Sequence, residues 1–132
     1  MTVKQFYREW LKALRSGKYK QGKRRLITVK PDGTCLHCCL GVACEVLGLE
    51  RGEKWGEAGY MYSGYYTAAS MPSAVSGAAG LSRQLNSGKT LADSLIHDND
   101  TRRRGFKDIA NRIETRILPK LDEETLNSEV PL

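Results

Sequence analysis

No stretch of this sequence is long and apolar enough to cross a membrane, and its first twenty residues alternate charged with apolar side chains where a secretory leader would run apolar without interruption. A cytoplasmic protein with no membrane partner is expected. Cysteine is scarce and confined: Cys35, Cys38, Cys39 and Cys44 crowd into ten residues, whereas a secreted disulfide framework spreads its cysteines to staple distant loops. They are read as reduced thiols. Acid is almost missing from the N-terminal quarter, where residues 1–30 hold ten Lys and Arg against the single Glu9. Residues 31–118 balance at ten of each sign, and residues 119–132 set Lys120 against four acids, so the net charge of +6 is a local patch. A one-sided basic face concentrates anions, which points to nucleic acid, nucleotides or an acidic protein surface. The plainer alternative is that these side chains only solubilise a helix.

With 132 residues, 40% of them hydrophobic and 27% charged, the chain fits one core, so residues 1–118 are taken as one globular domain and residues 119–132 as a frayed acidic tail. Val3, Phe6, Tyr7, Trp10, Leu11 and Leu14 recur at helical spacing and predict a helix over 2–16, opened by a Thr2/Gln5 capping box and ended by Gly17. Strands are expected at 25–30 and 34–38, joined through the turn residues Pro31, Asp32 and Gly33. CCLGVACEVLG reads as a short buried helix in which Gly41 signals close approach by another backbone. Leu91, Leu95 and Ile96 suggest a further short helix, and Phe106, Ile109, Ala110, Ile113 and Ile117 predict one over 105–117. Residues 50–80 contain four of the six tyrosines, many glycines and no sustained period, and are read as a long ordered loop with one short helix near Pro72. The expected class is α+β: amphipathic N- and C-terminal helices packed with a small antiparallel hairpin sheet and a long Gly/Tyr-rich loop.

The segment GKYKQGKR from Gly17 follows the spacing of a phosphate loop until Arg24 replaces the required hydroxyl. A helix precedes it and a strand follows, the reverse of what that loop needs, so a nucleotide-hydrolysing role is rejected. What survives is a run of glycine backbone among Lys18, Lys20, Lys23, Arg24 and Arg25 that can hold an anion without any motif. Cys35, His37, Cys38, Cys39 and Cys44 are zinc-ligand types, but a second ligand pair is missing and burial in a helix face is the preferred reading, with no metal or other cofactor. A thiol enzyme built on Cys38 or Cys39 with His97 and Asn99 is weighed as a third class of function and set below binding. Among Trp55, Tyr60, Tyr62, Tyr65 and Tyr66, at least one ring is expected to stack on a base, with Tyr62 and Tyr65 the candidates and some of the others plugging the core.

Taken in order, WLKALRSGKYKQGKRRL, HCCLGVACEVLG and LIHDNDTRRRGFKDIANRIE resemble a family of small accessory proteins encoded by tailed bacteriophages and prophages. The resemblance rests on Trp10, Arg15, Ser16, Gly17, Tyr19, Gln21, Gly22, Cys38, Cys39, Gly41, Cys44, Asn99, Asp100 and Phe106, and the basic run Arg102–Arg104 departs from it. It implies a phage accessory protein with no established chemistry; small accessory proteins of this size often counter host defence, and that context with the basic and aromatic segments leads to sequestration of a nucleotide-derived immune signal in the host cytoplasm. The expected ligand-binding residues are Arg15, Lys18, Tyr19, Gln21, Gly22, Lys23, Arg24, Arg25, Tyr62, Tyr65, Asn99 and Asp100. Nucleic-acid binding along the duplex backbone is the alternative, and completion of the pocket by a second subunit is left open.

Overall fold

The computed structural model describes residues 1–85 and 87–132. The N-terminal helix α1 (Val3–Arg15) forms as its stripe requires: all six apolar residues are buried, and Thr2 and Gln5 exchange both bonds of the capping box. Phe6 and Trp10 stack with ring centroids 5.3 Å apart, while Trp10 Nε1 donates to the Cys39 carbonyl at 2.9 Å. An indole buried with its one donor satisfied adds apolar area at no polar cost.

That carbonyl belongs to α2 (Cys39–Val46), which packs across α1, and α1 also packs on α5 (Phe106–Arg112). The stripe predicted to continue to residue 117 does so, but its last turn, Ile113–Ile117, is π-helical, followed by a 3₁₀ turn at Leu118–Lys120.

Two three-stranded sheets complete the α+β architecture. In the first, the expected hairpin is present as β2 (Ile27–Val29) and β3 (Cys35–His37), with Gly33 at φ 87° in the turn. A further strand, β1 (Lys20–Gln21), pairs in parallel with β3 on its other side, Lys20 opposite Leu36 and Gln21 opposite His37. The basic segment is thus a sheet edge for part of its length.

The second sheet corrects the long loop expected over residues 50–80. Strands β4 (Glu50–Lys54), β5 (Glu57–Tyr62) and β6 (Tyr65–Thr67) form an antiparallel meander, and α3 (Ser73–Ala78) follows where Pro72 suggested. Its turns are the two-residue pairs Trp55-Gly56 and Ser63-Gly64, each with positive φ at both positions, the geometry that matches the twist of a hairpin. Gly52 and Gly59, two of the glycines of the expected loop, pair with each other, and a Cβ on Gly59 would sit 2.4 Å from the Thr67 carbonyl oxygen. They mark close packing, not irregular backbone.

Helix α4 (Leu91–Asp100) opens with a second capping box, Thr90 and Asp93. The tail is not frayed. Asp122 caps α6 (Glu123–Asn127), and the chain then runs back beside the start of α1: Val3 N donates to Ser128 O, Val130 N donates to Met1 O, both at 2.9 Å, and Val130 is 4% exposed. Four acids hid one apolar anchor. Removing residues 128–132 is expected to cost about 2 kcal/mol from the lost valine burial, a fall in Tm of roughly 5–10 °C. Thermal denaturation checks this; an unchanged Tm would mean that the tail rests on the surface without stabilising it. Among the described residues no helix is long and apolar enough to cross a membrane.

Candidate functional site

Asn99 is 1% exposed and ties three elements together. Its Oδ1 accepts from Gln21 Nε2 at 2.8 Å and from the Cys39 backbone N at 3.2 Å; its Nδ2 donates to Gly22 O at 2.8 Å and to Asp100 Oδ1 at 2.9 Å. Gln21 Nε2 also reaches Arg104 O, and Asp100 Oδ1 accepts the Arg24 backbone N, bonded at 2.9 Å while Arg24 stands at φ 68°. Because Cys39 N can only donate and Gly22 O can only accept, the Asn99 amide has one permitted orientation. Gln21, Gly22, Asn99 and Asp100, all expected ligand contacts, therefore form a closed node that fixes the basic segment against α2 and α4.

The expected cations divide by their partners. Arg15 bridges to Glu114 at 3.1 Å and donates to Asn111 Oδ1 at 2.9 Å, joining α1 to the C-terminal helix. Arg25 pairs with Glu57 at 2.9 Å, tying the first sheet to the second. Lys23 and Arg24 are exposed. The basic run Arg102–Arg104 turns partly inward: buried Asp98 accepts from Arg112 Nε at 2.9 Å, with Arg104 and Arg102 at 3.5 and 3.7 Å. Of the expected stacking tyrosines, Tyr62 donates to the Pro131 carbonyl and helps hold the tail, whereas Tyr65, paired with it across the Ser63-Gly64 turn, is exposed; both line a pocket of about 330 Å³ with Pro72 on the second sheet.

Lys18 and Tyr19 instead border a cleft of about 280 Å³ that also takes in Lys20, Thr34, Cys35, His37 and Arg51. Lys20 comes from β1, Cys35 and His37 from alternate positions of β3, and Arg51 from β4, so both sheets contribute a wall. The Tyr19 ring meets the His37 ring edge-on at 5.2 Å, with Lys18 Nζ 5.5 Å from the Tyr19 centroid. His37 is 3% exposed, yet neither ring nitrogen has a hydrogen-bond partner. Its Nε2 lies 3.8 Å from Glu45 Oε2, too far for a hydrogen bond. Burial outweighs that attraction and holds His37 below the usual histidine range.

Glu45 is itself occupied. Burial pushes its carboxyl up, but hydrogen bonds from Arg51 at 3.0 Å and from Tyr60 at 2.6 Å overcome this and hold it below the usual carboxylate range. The same burial and hydrogen bond drive the Tyr60 hydroxyl upward, so it stays a donor. Lys18 and Lys20 have no acidic partner among the described residues. The cleft thus combines two free cations, one arginine shared with Glu45, and a buried imidazole whose polar atoms lack partners. Arg51 carried no sequence signal for this role. His37 and Cys35 could have been placed together from their i, i+2 spacing on a strand.

A second depression of about 340 Å³ meets the first at Lys18 and Tyr19 and is bordered by Glu9, Lys12, Ala13 and Val46. The thiols are all free. Burial pushes Cys38 up to about 11, against what a nucleophilic thiol requires, and raises Cys39 and Cys44 further. Among the described residues no three His, Cys, Asp or Glu side chains gather to hold a metal ion.

No curated protein and no solved structure gives a significant match. The Asn99 node and every residue bordering the cationic cleft lie within residues 2–117, the stretch that matches the family described as a domain of unknown function (DUF8296), and the chain belongs to that family.

Proposed function

We propose that the protein binds a phosphate-bearing small molecule in the cleft beside Tyr19 and sequesters it without turnover. The observation that carries this reading is His37: a buried imidazole with two unpartnered nitrogens, set among Lys18, Lys20 and Arg51. Unsatisfied buried polar atoms are costly; both ring nitrogens are closed to solvent, and a small turn of the ring toward an anion held by the surrounding cations removes that cost. Phosphate is such a group. The adjoining depression, walled by Ala13, Val46 and the Tyr19 ring, suits the flat apolar part of a nucleotide, and Glu9 at its edge can accept from an amino or hydroxyl group. With the resemblance to phage and prophage accessory proteins, a nucleotide-derived signal is the ligand class we favour, held so that its receptor is deprived of it.

Equilibrium dialysis against pyrophosphate and a panel of nucleotides tests the assignment. Lys20→Ala is expected to weaken binding roughly ten- to a hundredfold, the loss of one charge-assisted contact of about 1.5–3 kcal/mol, whereas Lys23→Ala leaves it unchanged. Affinity for a phosphodiester, whose single charge is constant over this range, should tighten as pH falls from 8 to 6, because an anion in the cleft favours the proton on His37 that burial disfavours. Glu45, bonded to Arg51 and Tyr60, lies beside the same ring, and Lys18 and Lys20 border the cleft. Equal effects of the two lysine substitutions would refute the cleft as the site.

A nucleic-acid reading is favoured by one observation, the exposed row Lys4, Arg8 and Lys12 at four-residue intervals along the outer face of α1. It predicts duplex binding whose log K falls with log salt by about 0.9 for each phosphate neutralised, unaffected by Lys20→Ala.

A further inference from the structure

We infer that Cys35 is a modification site for an anionic low-molecular-weight disulfide, because its half-buried thiol borders the same cleft as Lys18, Lys20 and Arg51 and as the unpartnered ring of His37. Cys35 Sγ lies 3.8 Å from Arg51 Nη1 and 3.8 Å from the Gly33 carbonyl oxygen, on the face of β3 that also carries His37. Cys38, Cys39 and Cys44 are buried, which denies them both access and ionisation. A carboxylate-bearing disulfide such as oxidised glutathione meets three cations as it approaches Cys35 and none of comparable access at the other thiols. The cations raise its local concentration beside the one thiol that solvent reaches.

The step is thiol–disulfide exchange. The Cys35 thiol gives up its proton, its sulfur attacks one sulfur of the reagent, and the S–S bond of the reagent breaks. One half stays on Cys35 as a mixed disulfide, and the other leaves as a thiolate that takes a proton. Cys35 is oxidised and the departing half reduced, so no further oxidant enters. A small thiol reverses the exchange. Attached there, the adduct fills the cleft, so modification also blocks anion binding; that consequence, unlike the modification, rests on the function proposed above.

The full-length protein is incubated with oxidised glutathione or with the cationic disulfide cystamine, and the adduct is counted by intact mass and located by peptide mapping. One adduct at Cys35 is expected, lost in Cys35→Ser. It should form on the order of tenfold faster with the anionic than with the cationic reagent at low salt, a preference that fades with added salt and in Lys20→Gln. Adducts spread over the cysteines, or equal rates with the two reagents, would overturn the inference. Pyrophosphate separates this inference from the binding reading. Protection of Cys35 by pyrophosphate supports both; charge-selective modification without any pyrophosphate binding leaves the inference standing and removes the binding proposal.

Discussion

Gly41→Ala is expected to leave little or no cooperatively folded protein. A Cβ built on Gly41 lies 1.7 Å from the Leu26 carbonyl oxygen and 2.6 Å from its carbonyl carbon, both backbone atoms that no rotamer change can move aside. Relief would require α2 and the segment entering β2 to separate. Leu26, Ile27, Cys39, Leu40 and Val42 are all essentially buried there, and Leu26 N is bonded to Ala68 O at 2.8 Å, so neither side is free to withdraw. Overpacking by a methylene where side chains can yield costs about 1–3 kcal/mol; against rigid backbone the expected cost is about 4 kcal/mol or more, a large part of the stability of a domain this size. Soluble yield, near-ultraviolet circular dichroism and urea denaturation measure it. A variant that unfolds at wild-type urea concentration would show that the helix and strand are not in contact. Gly77→Ala is the control, since a Cβ there meets only Ser82 Oγ at 4.0 Å.

The close approach at Gly41 was legible because a glycine in an apolar helix pattern needs a packing reason; its partner, fifteen residues earlier, was not. The same division runs through the fold. Helix α1, the β2–β3 hairpin and the helix from Phe106 have strong local patterns, and they form. The second sheet does not declare itself: β4 reads Glu-Arg-Gly-Glu-Lys, charged on both faces, and its turns depend on Trp55 and Ser63 accepting positive φ before glycine. The tail was obscured in another way, since a single buried valine holds a segment whose composition is that of a solvated end.

At the proposed site, cation count marks a region of the chain and not which of its residues are free. Ten basic residues in the first thirty say nothing about which ones find acids, and the acids that engage Arg15 and Arg25 lie 99 and 32 positions away. Lys20 shares the cleft, while its neighbour Gln21 points to Asn99. Arg51 arrives through β4, which cannot be placed before the meander is recognised. Asn99 and Asp100, expected as ligand contacts, bond to Gly22 O and Arg24 N and fix the basic segment's path.

That role yields the second large effect. Asn99→Asp is expected to destabilise the protein by about 3–5 kcal/mol at neutral pH, the range for a buried charge left without compensation, although it changes hardly any volume. The oxygen accepting from Gln21 Nε2 and Cys39 N is kept. The nitrogen donating to Gly22 O and Asp100 Oδ1 becomes a second oxygen facing two acceptors, one of them a carboxylate 2.9 Å away. The introduced carboxyl regains a donor only when protonated, so its pKa in the folded protein lies above the unfolded value near 4. A group raised in this way destabilises at pH above its folded pKa and ceases to do so as pH falls below the unfolded one; the gap from wild type should therefore narrow between pH 7 and pH 4. Asp100→Asn should be milder, because an amide there can still present Oδ1 to Arg24 N and Asn99. Urea denaturation across pH gives the stabilities, and hydrogen exchange at Gly22 N, bonded to His37 O at 2.7 Å, reports whether β1 has left β3. If β1 is released, Lys20 leaves the cleft, and pyrophosphate binding should fall at least as far as in Lys20→Ala even at temperatures where the variant stays folded. A gap that ignores pH would mean that the node is held by shape and not by the direction of its hydrogen bonds.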